Sequence, residues 1–302
     1  MSESFEELRP RAFAIAYRML GSVSEAEDVV QEALLRIHEA QEKGERIESP
    51  RAYLSTVVTR LAIDELRSAR ARREHYVGEW LPEPLLTSDD DDPANQAEMA
   101  DSLSLALLVL LESLSPEQRA AFLLRDVFDY PYERIAQIVG RSEVAVRQLA
   151  SRARRSVEER RPRFEASRAQ RDRLADRFFL AIEDGDLGGL ESLLASDVEV
   201  HGDGGGKAPA LARPLSGRNR VAQMMLAWWR AAARFGGATV RRVEVNGQPA
   251  AMTLDSDERL ISVIALDIAE GEIQAIRSIV NPDKLDHLDL PVANLGKLLG
   301  RG

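Results

Sequence analysis

The 302 residues include no cysteine, which excludes disulfide staples, thiolate zinc sites and a cysteine nucleophile and fits a reducing compartment. Aromatic residues make up only 5%, so any core must be built from aliphatic side chains. No apolar run approaches the ~20 residues of a membrane span, and the opening MSESFEELRP, charged from its third residue, does not read as a secretory leader. A cytoplasmic protein is therefore expected. Lysine is scarce, four against 36 arginines, so each lysine stands out. Two of them, Lys207 and Lys284, fall in short loops rich in Gly, Asp and Pro. Basic residues are missing altogether from 77–114, which carries nine acidic ones. That stretch cannot itself grip a polyanion.

The chain as a whole has 40 basic and 50 acidic residues, a net charge of −10. Attraction to phosphate is decided within about a Debye length (~10 Å), so the total excludes no partner. Arginines gather at Arg60, Arg67, Arg70, Arg72 and Arg73, and again with eight between Arg141 and Arg163, each time toward the end of a predicted helix. Two basic helices suggest two nucleic-acid contacts, and a solvated helix face is the plainer reading of either one alone.

Length and a 44% apolar content allow two or three domains, each with a core. Helical periodicity over 5–40, broken near Gly21 with Ser24 as candidate N-cap, and a helix opening at Ser49-Pro50 define an all-α domain over 1–76. Residues 77–100, with Trp80-Leu81-Pro82-Glu83-Pro84 and four consecutive aspartates from Asp89, read as an acidic linker. A second all-α domain spans 101–165. In it Tyr132, Ile135, Ala136 and Val139 form one short apolar face, Gly140 breaks the helix and Ser142 caps the next. There Val146, Leu149, Ala150, Ala153 and Val157 are the buried stripe. This is a helix-turn-helix whose outer face leaves Arg147, Ser151, Arg154 and Arg155 free to enter a major groove, with Arg147 and Gln148 placed for base edges and Arg152, Arg154 and Arg155 for phosphates. From 170 to 290 a helix over 174–194, Val198-Glu199-Val200, a helix over 217–235 and strands at 239–245, 249–254, 260–268 and 272–280 describe an α+β module with a mainly antiparallel sheet, followed by a tail at 291–302. Asn246-Gly247 and Glu270-Gly271 read as hairpin turns.

Three ordered segments carry a family resemblance. AYRMLGSVSEAEDVVQEALLRIH and RAYLSTVVTRLAIDELRSARARRE resemble the two parts of sigma region 2, and LSPEQRAAFLLRDVFDYPYERIAQIVGRSEVAVRQLASRAR resembles region 4, of the extracytoplasmic-function sigma factors. The resemblance implies a subunit that binds core RNA polymerase and directs it to promoter DNA, region 2 reading the −10 element and region 4 the −35 element. It implies core-polymerase contacts at Asp28, Gln31 and Glu32, of which Asp28 and Glu32 share a helix face at i, i+4. It also implies strand capture by Arg51 and Tyr53 and phosphate contacts from Arg60, Arg67, Arg70 and Arg73, with Asp64 pairing a neighbouring arginine. A base flipped from the stack costs a few kcal/mol, which such contacts must recover. The acidic linker has a plain reading as a tether and a sharper one as a mimic of single-stranded nucleic acid.

The C-terminal module resembles the SnoaL-like cone fold, and a subgroup of the same sigma family bears that extension. Three motifs carry this resemblance: Trp80 to Pro84 with Pro82 at its centre, the loop Asp203-Gly204-Gly205-Gly206-Lys207, and Asn281-Pro282-Asp283-Lys284-Leu285. In the subgroup the extension is associated with controlling the sigma domains from within the same chain. The cone implies a pocket for an unidentified small ligand, with His201 and Asp203 as candidate base and orienter; the expectation is nevertheless regulation without enzymatic turnover, metal or cofactor. The rival reading is a ligand-responsive helix-turn-helix regulator that acts without polymerase.

Overall fold

The computed structural model describes residues 7–87, 103–159, 167–234 and 237–293, the side chains of 70–72 and 233–234 excepted. The chain divides into two compact units, one of Met1–His75 with Leu107–Arg161 and the other of Tyr76–Ala106 with Pro162–Gly302. Asp89 to Asp92, the 291–302 tail beyond Ala293 and the side chain of Arg70 lie outside the described residues.

The first unit is helical. α1 (Arg9–Leu20) stops at Gly21, whose φ of 69° lets its amide close on Tyr17 O. α2 (Val23–Glu42) starts immediately after, so Ser22 rather than Ser24 caps it, its Oγ accepting from the Glu25 amide at 3.1 Å. α3 (Pro50–Arg73) begins with Ser49 Oγ accepting from Ala52 N, as the Ser-Pro signal predicts. α4 (Leu105–Leu111) leads to α5 (Pro116–Phe122), which opens in a capping box between Ser115 and Gln118. After a π-turn at Leu123–Val127 come α6 (Tyr132–Val139) and α7 (Glu143–Glu158), joined through Gly140 at φ 69° and capped by Ser142. Ile135, Ile138, Val146 and Ala150 bury against Ala121 and Leu124. Tyr132, Ala136 and Val139 pack against this core while partly exposed, so the expected apolar face is present, and Ile138 joins it.

The second unit is α+β. The helix expected over 174–194 is two: α8 (Arg168–Asp184) ends at Gly185, φ 71°, and α9 (Leu187–Leu193) restarts from Asp186, whose Oδ1 accepts from Gly189 N. Six strands follow, with α10 (Arg218–Arg234) between the second and third: β1 (Leu194–Asp203), β2 (Leu215–Ser216), β3 (Ala238–Val245), β4 (Gln248–Asp255), β5 (Leu260–Ala269) and β6 (Glu272–Ile279). They form one sheet in the order β2-β1-β6-β5-β4-β3, antiparallel except where β1 runs parallel to β6. Positive φ at Asn246 and Gly247, and at Glu270 and Gly271, makes both hairpin turns the kind that matches strand twist. One sheet face and the helices share a core of Phe178, Ile182, Leu190, Val200, Val221 and Ile276 among others.

Candidate functional sites

In the helix-turn-helix, Arg147, Gln148, Ser151, Arg152 and Arg155 are exposed on one face of α7, and Ser142 is exposed at its cap. Val144, 67% exposed, extends that face by one apolar group that the sequence reading passed over. Arg147 is held in place by Glu143 one turn earlier and by the Tyr132 ring 4.4 Å beneath its guanidinium. The Tyr132 ring thus packs on the core and also carries Arg147. Arg154 differs from a freely presented phosphate contact: its Nε donates to Asp126 Oδ1 at 3.0 Å, and this hydrogen bond raises its already high pKa.

The arginine row of α3 is held by groups in the same unit. Arg60 donates to Gln137 O (2.8 Å) and Ile138 O (3.0 Å), the free carbonyls at the C-terminus of α6, where a cation also meets the negative end of the helix dipole. Arg67 bonds Asp64 (3.0 Å), as expected, and also Glu117 (2.7 Å). Arg73 pairs with Glu112 and donates to Leu20 O. Arg134 returns the contact, reaching Ala52 O and Thr56 Oγ1 on α3. Arg51 stays exposed and Tyr53 is half-buried. On α2, Asp28, Gln31 and Glu32 are exposed together, Glu32 paired with Arg36, and Leu35, 60% exposed, completes the patch.

In the second unit the three short motifs converge. Asp203, fully buried at the end of β1, accepts from Tyr76 Oη (2.5 Å), Leu81 N (2.8 Å) and Lys284 Nζ (2.6 Å). Lys284, 5% exposed, also donates to Leu81 O and lies 4.2 Å from the Trp80 ring and 5.0 Å from that of Tyr76. Asn281 donates to Tyr76 Oη at 2.8 Å, and Val280 N and Asn281 N both bond Asp203 O. Burial first, then the hydrogen bond to Asp203, holds the Tyr76 phenol protonated far above its ordinary value. Beyond this hub, Leu85 and Thr87 bond Asn246 and Glu244 at the β3–β4 turn, and Pro84 O accepts from His287 Nε2. Residues 76–87 are thus fastened along their length, unlike a free tether. Lys207 and Asp283 add an exposed ion pair at the rim.

The loop glycines have a steric reason. Gly205 (φ 57°) and Gly206 (φ 72°) occupy left-handed backbone, and a Cβ on Gly205 would stand 2.3 Å from Asn281 Nδ2 and 3.0 Å from Tyr76 Oη. Gly205→Ala is expected to destabilise the second unit by about 2–3 kcal/mol, combining backbone strain with displacement of Asn281. Urea unfolding of the variant checks this, and a loss under about 0.5 kcal/mol, the range of a neutral surface change, would contradict it.

His201 and Asp203 do not face the cavity of this unit. Gly202, between them, lines it, while His201 Nδ1 lies 2.7 Å from Glu79 Oε1 on the other sheet face, beside the 76–87 segment. Tyr76, Glu79 and Leu35 escaped the sequence reading; only the abrupt change from basic to acidic composition after Arg73 marks where Tyr76 lies.

Residues 5–72 match sigma-70 region 2 and residues 104–157 match sigma-70 region 4, so the helical part is that of a sigma-70-type transcription initiation factor. The chain is 39% identical over 292 residues to the ECF RNA polymerase sigma factor SigJ of Mycobacterium tuberculosis H37Rv, spanning 93% of this chain and 91% of the relative. It is 35% identical over 277 residues to the probable ECF RNA polymerase sigma factor SigI of the same species, 91% of each. The crystal structure of M. tuberculosis SigJ superposes with a TM-score of 0.76 at 37% identity, covering 95% of this chain and 98% of that one. The chain belongs to the extracytoplasmic-function RNA polymerase sigma factors, in the branch that carries a C-terminal extension. The reading as a polymerase-independent regulator finds no support among these relatives. No helix among the described residues is long and apolar enough to cross a membrane.

Proposed function

We propose that this sigma factor grips core polymerase through Asp28, Gln31, Glu32 and Leu35, reads promoter DNA through α7, and is restrained in cis by the Asp203–Lys284 hub. The convergence of the three motifs on one buried ion pair carries this reading. Residues 76–87 lie in sequence between the two sigma regions, so the hub controls the reach of the segment that joins them. Free, twelve residues span about 40 Å; fastened, they contribute little. Elements about 25 base pairs apart are ~85 Å apart along B-DNA, whereas Arg60 of region 2 touches Ile138 of region 4 in the compact first unit. Initiation therefore requires the two regions to part, which releases Arg60, Arg67 and Arg73 for phosphate. The acidic stretch 88–102 serves as tether in this reading. His201, bonded to Glu79 and turned from the cavity, acts as a fastener, and no turnover is assigned to this unit.

Run-off transcription with core polymerase tests the reading. Tyr76→Phe, which removes one hydrogen bond to Asp203 and one from Asn281, is expected to raise initiation several-fold over the full chain, with Arg259→Ala, at an exposed pair with Asp257, as the near-neutral control. Equal or lower initiation by Tyr76→Phe would refute restraint by the hub. On the same template, Arg147→Ala is expected to weaken promoter binding by about 1–3 kcal/mol and to relax base preference in the upstream element, whereas Arg152→Ala should weaken all sequences alike and lower the salt dependence.

A further inference from the structure

A cavity of about 250 Å3 lies between the sheet and helices of the second unit. Phe179 of α8 and Met225, Trp228 and Trp229 of α10 make an apolar wall. The facing sheet wall sets a polar row, Thr253 and Asp255 of β4, Ser262 of β5 and Ser278 of β6, among Val240, Ile261 and Ile264. Thr253 and Ser262 are direct register partners, and Ser278 pairs with Ile264, two residues along from Ser262, so the three hydroxyls share one sheet face. Their residues are 9%, 6% and 4% exposed, and none of the three hydroxyls has a hydrogen-bond partner among the described residues. Asp255 Oδ1 accepts from the amides of Asp257 and Arg259, both at 2.9 Å, leaving its second oxygen for another donor. None of these hydroxyls is sealed from the cavity, so each pairs with whatever fills it. Three hydroxyls beside a carboxylate, aimed into one cavity, describe the polar half of a binding site.

We infer that this cavity binds a small neutral molecule with an aromatic body of about two fused rings and a hydroxyl at one end. The rings lie against Trp228, Trp229 and Met225, and the hydroxyl reaches the Ser262, Ser278 and Asp255 group. An apolar cavity of about 150 Å3 takes benzene, so 250 Å3 leaves room for a second ring. The Asp255 carboxylate selects a donor and disfavours an anion. Gly202 and Val280 line the cavity, and the residues that follow them, Asp203 and Asn281, belong to the hub. A ligand that shifts either strand end therefore acts on the hub; this coupling rests on the regulatory reading given above, while the binding does not.

Calorimetric titration of the full-length chain with 2-naphthol and, separately, with naphthalene tests the site. One saturable site is expected for 2-naphthol, with naphthalene at least about tenfold weaker because it leaves the hydroxyl row unpaired. Ser262→Ala/Ser278→Ala is expected to bring the two ligands together. Absence of saturable 2-naphthol binding, or equal affinity of the unaltered chain for both compounds, would overturn the assignment whether or not the variant folds. Amide exchange at Leu81, which donates to Asp203, should change on saturation with 2-naphthol. Unchanged exchange with binding intact would sink the coupling alone, and the Tyr76→Phe transcription result judges the restraint independently.

Discussion

Replacing Lys284 with Met is expected to destabilise the second unit by about 3–5 kcal/mol, a large part of the stability of an ordinary domain. Removing the ammonium leaves the Asp203 carboxylate, fully buried, with Tyr76 Oη and Leu81 N as donors but no counter-charge. It also orphans Leu81 O and ends the contacts with the Trp80 and Tyr76 rings. Asp203→Asn should cost a comparable amount from the other side, since a buried ammonium then lacks its partner. Asp203→Leu/Lys284→Met should cost much less than the two single losses together, because a missing charge pair is tolerated better than half of one. All three tryptophans, Trp80, Trp228 and Trp229, belong to this unit, so their fluorescence in a urea titration reports on it without interference from the helical unit. A single-variant cost under about 1 kcal/mol, the worth of an exposed pair, would remove the hub as an organising centre.

The hub also marks the limit of what local sequence could reveal. Its motifs were noticeable as loops with rare lysines and clustered glycines, and family resemblance attached regulation to them. That they meet at Asp203 was invisible, because Tyr76, Asp203 and Asn281 are separated by 127 and 205 positions in the bonds that join them and no periodicity links such distances. The helix-turn-helix was readable because every signal in it is local: Gly140 in left-handed backbone, Ser142 as cap, and a buried stripe at 3.6-residue spacing. Errors there were also local. Ile138, buried beside Ile135, was missing from the expected face, and the arginine stacked on Tyr132 has no periodic signal. Gly185-Asp186 was present to split α8 from α9, but the apolar rhythm runs through it. The arginines of α3 were read correctly as cations on a helix, and a helical wheel cannot show that Glu112, Glu117 and the carbonyls of α6 hold them.

Those partners set the second large expectation. Arg119→Met is expected to cost the helical unit about 3 kcal/mol at neutral pH, and the cost should shrink in acid. Arg119, 1% exposed, donates to Glu112 Oε1 at 2.6 Å and to Leu108 O at 3.0 Å, while Arg73 holds the other Glu112 oxygen. Burial pushes the Glu112 carboxyl up, and the two guanidiniums, Arg119 more than Arg73, outweigh it and hold the carboxyl below its ordinary value. A depressed carboxyl contributes stability that is complete above the unfolded value of about 4.3 and is lost as pH falls through the folded one. The gap between the unaltered chain and Glu112→Gln should therefore be constant from pH 7 to about pH 5 and close below about pH 4. Arg73→Ala should cost less than Arg119→Met, because Arg73 is more exposed and water replaces part of what it gives. It is also the variant with a functional reading. If Arg73 exchanges Glu112 for phosphate when the two sigma regions part, Arg73→Ala loses promoter affinity while the free protein remains folded. Amide exchange in α5 measures the stability part, and filter binding of the polymerase-bound chain to promoter DNA measures the other. A variant that loses neither would mean that Arg119 alone holds Glu112 and that Arg73 has no part in reading DNA.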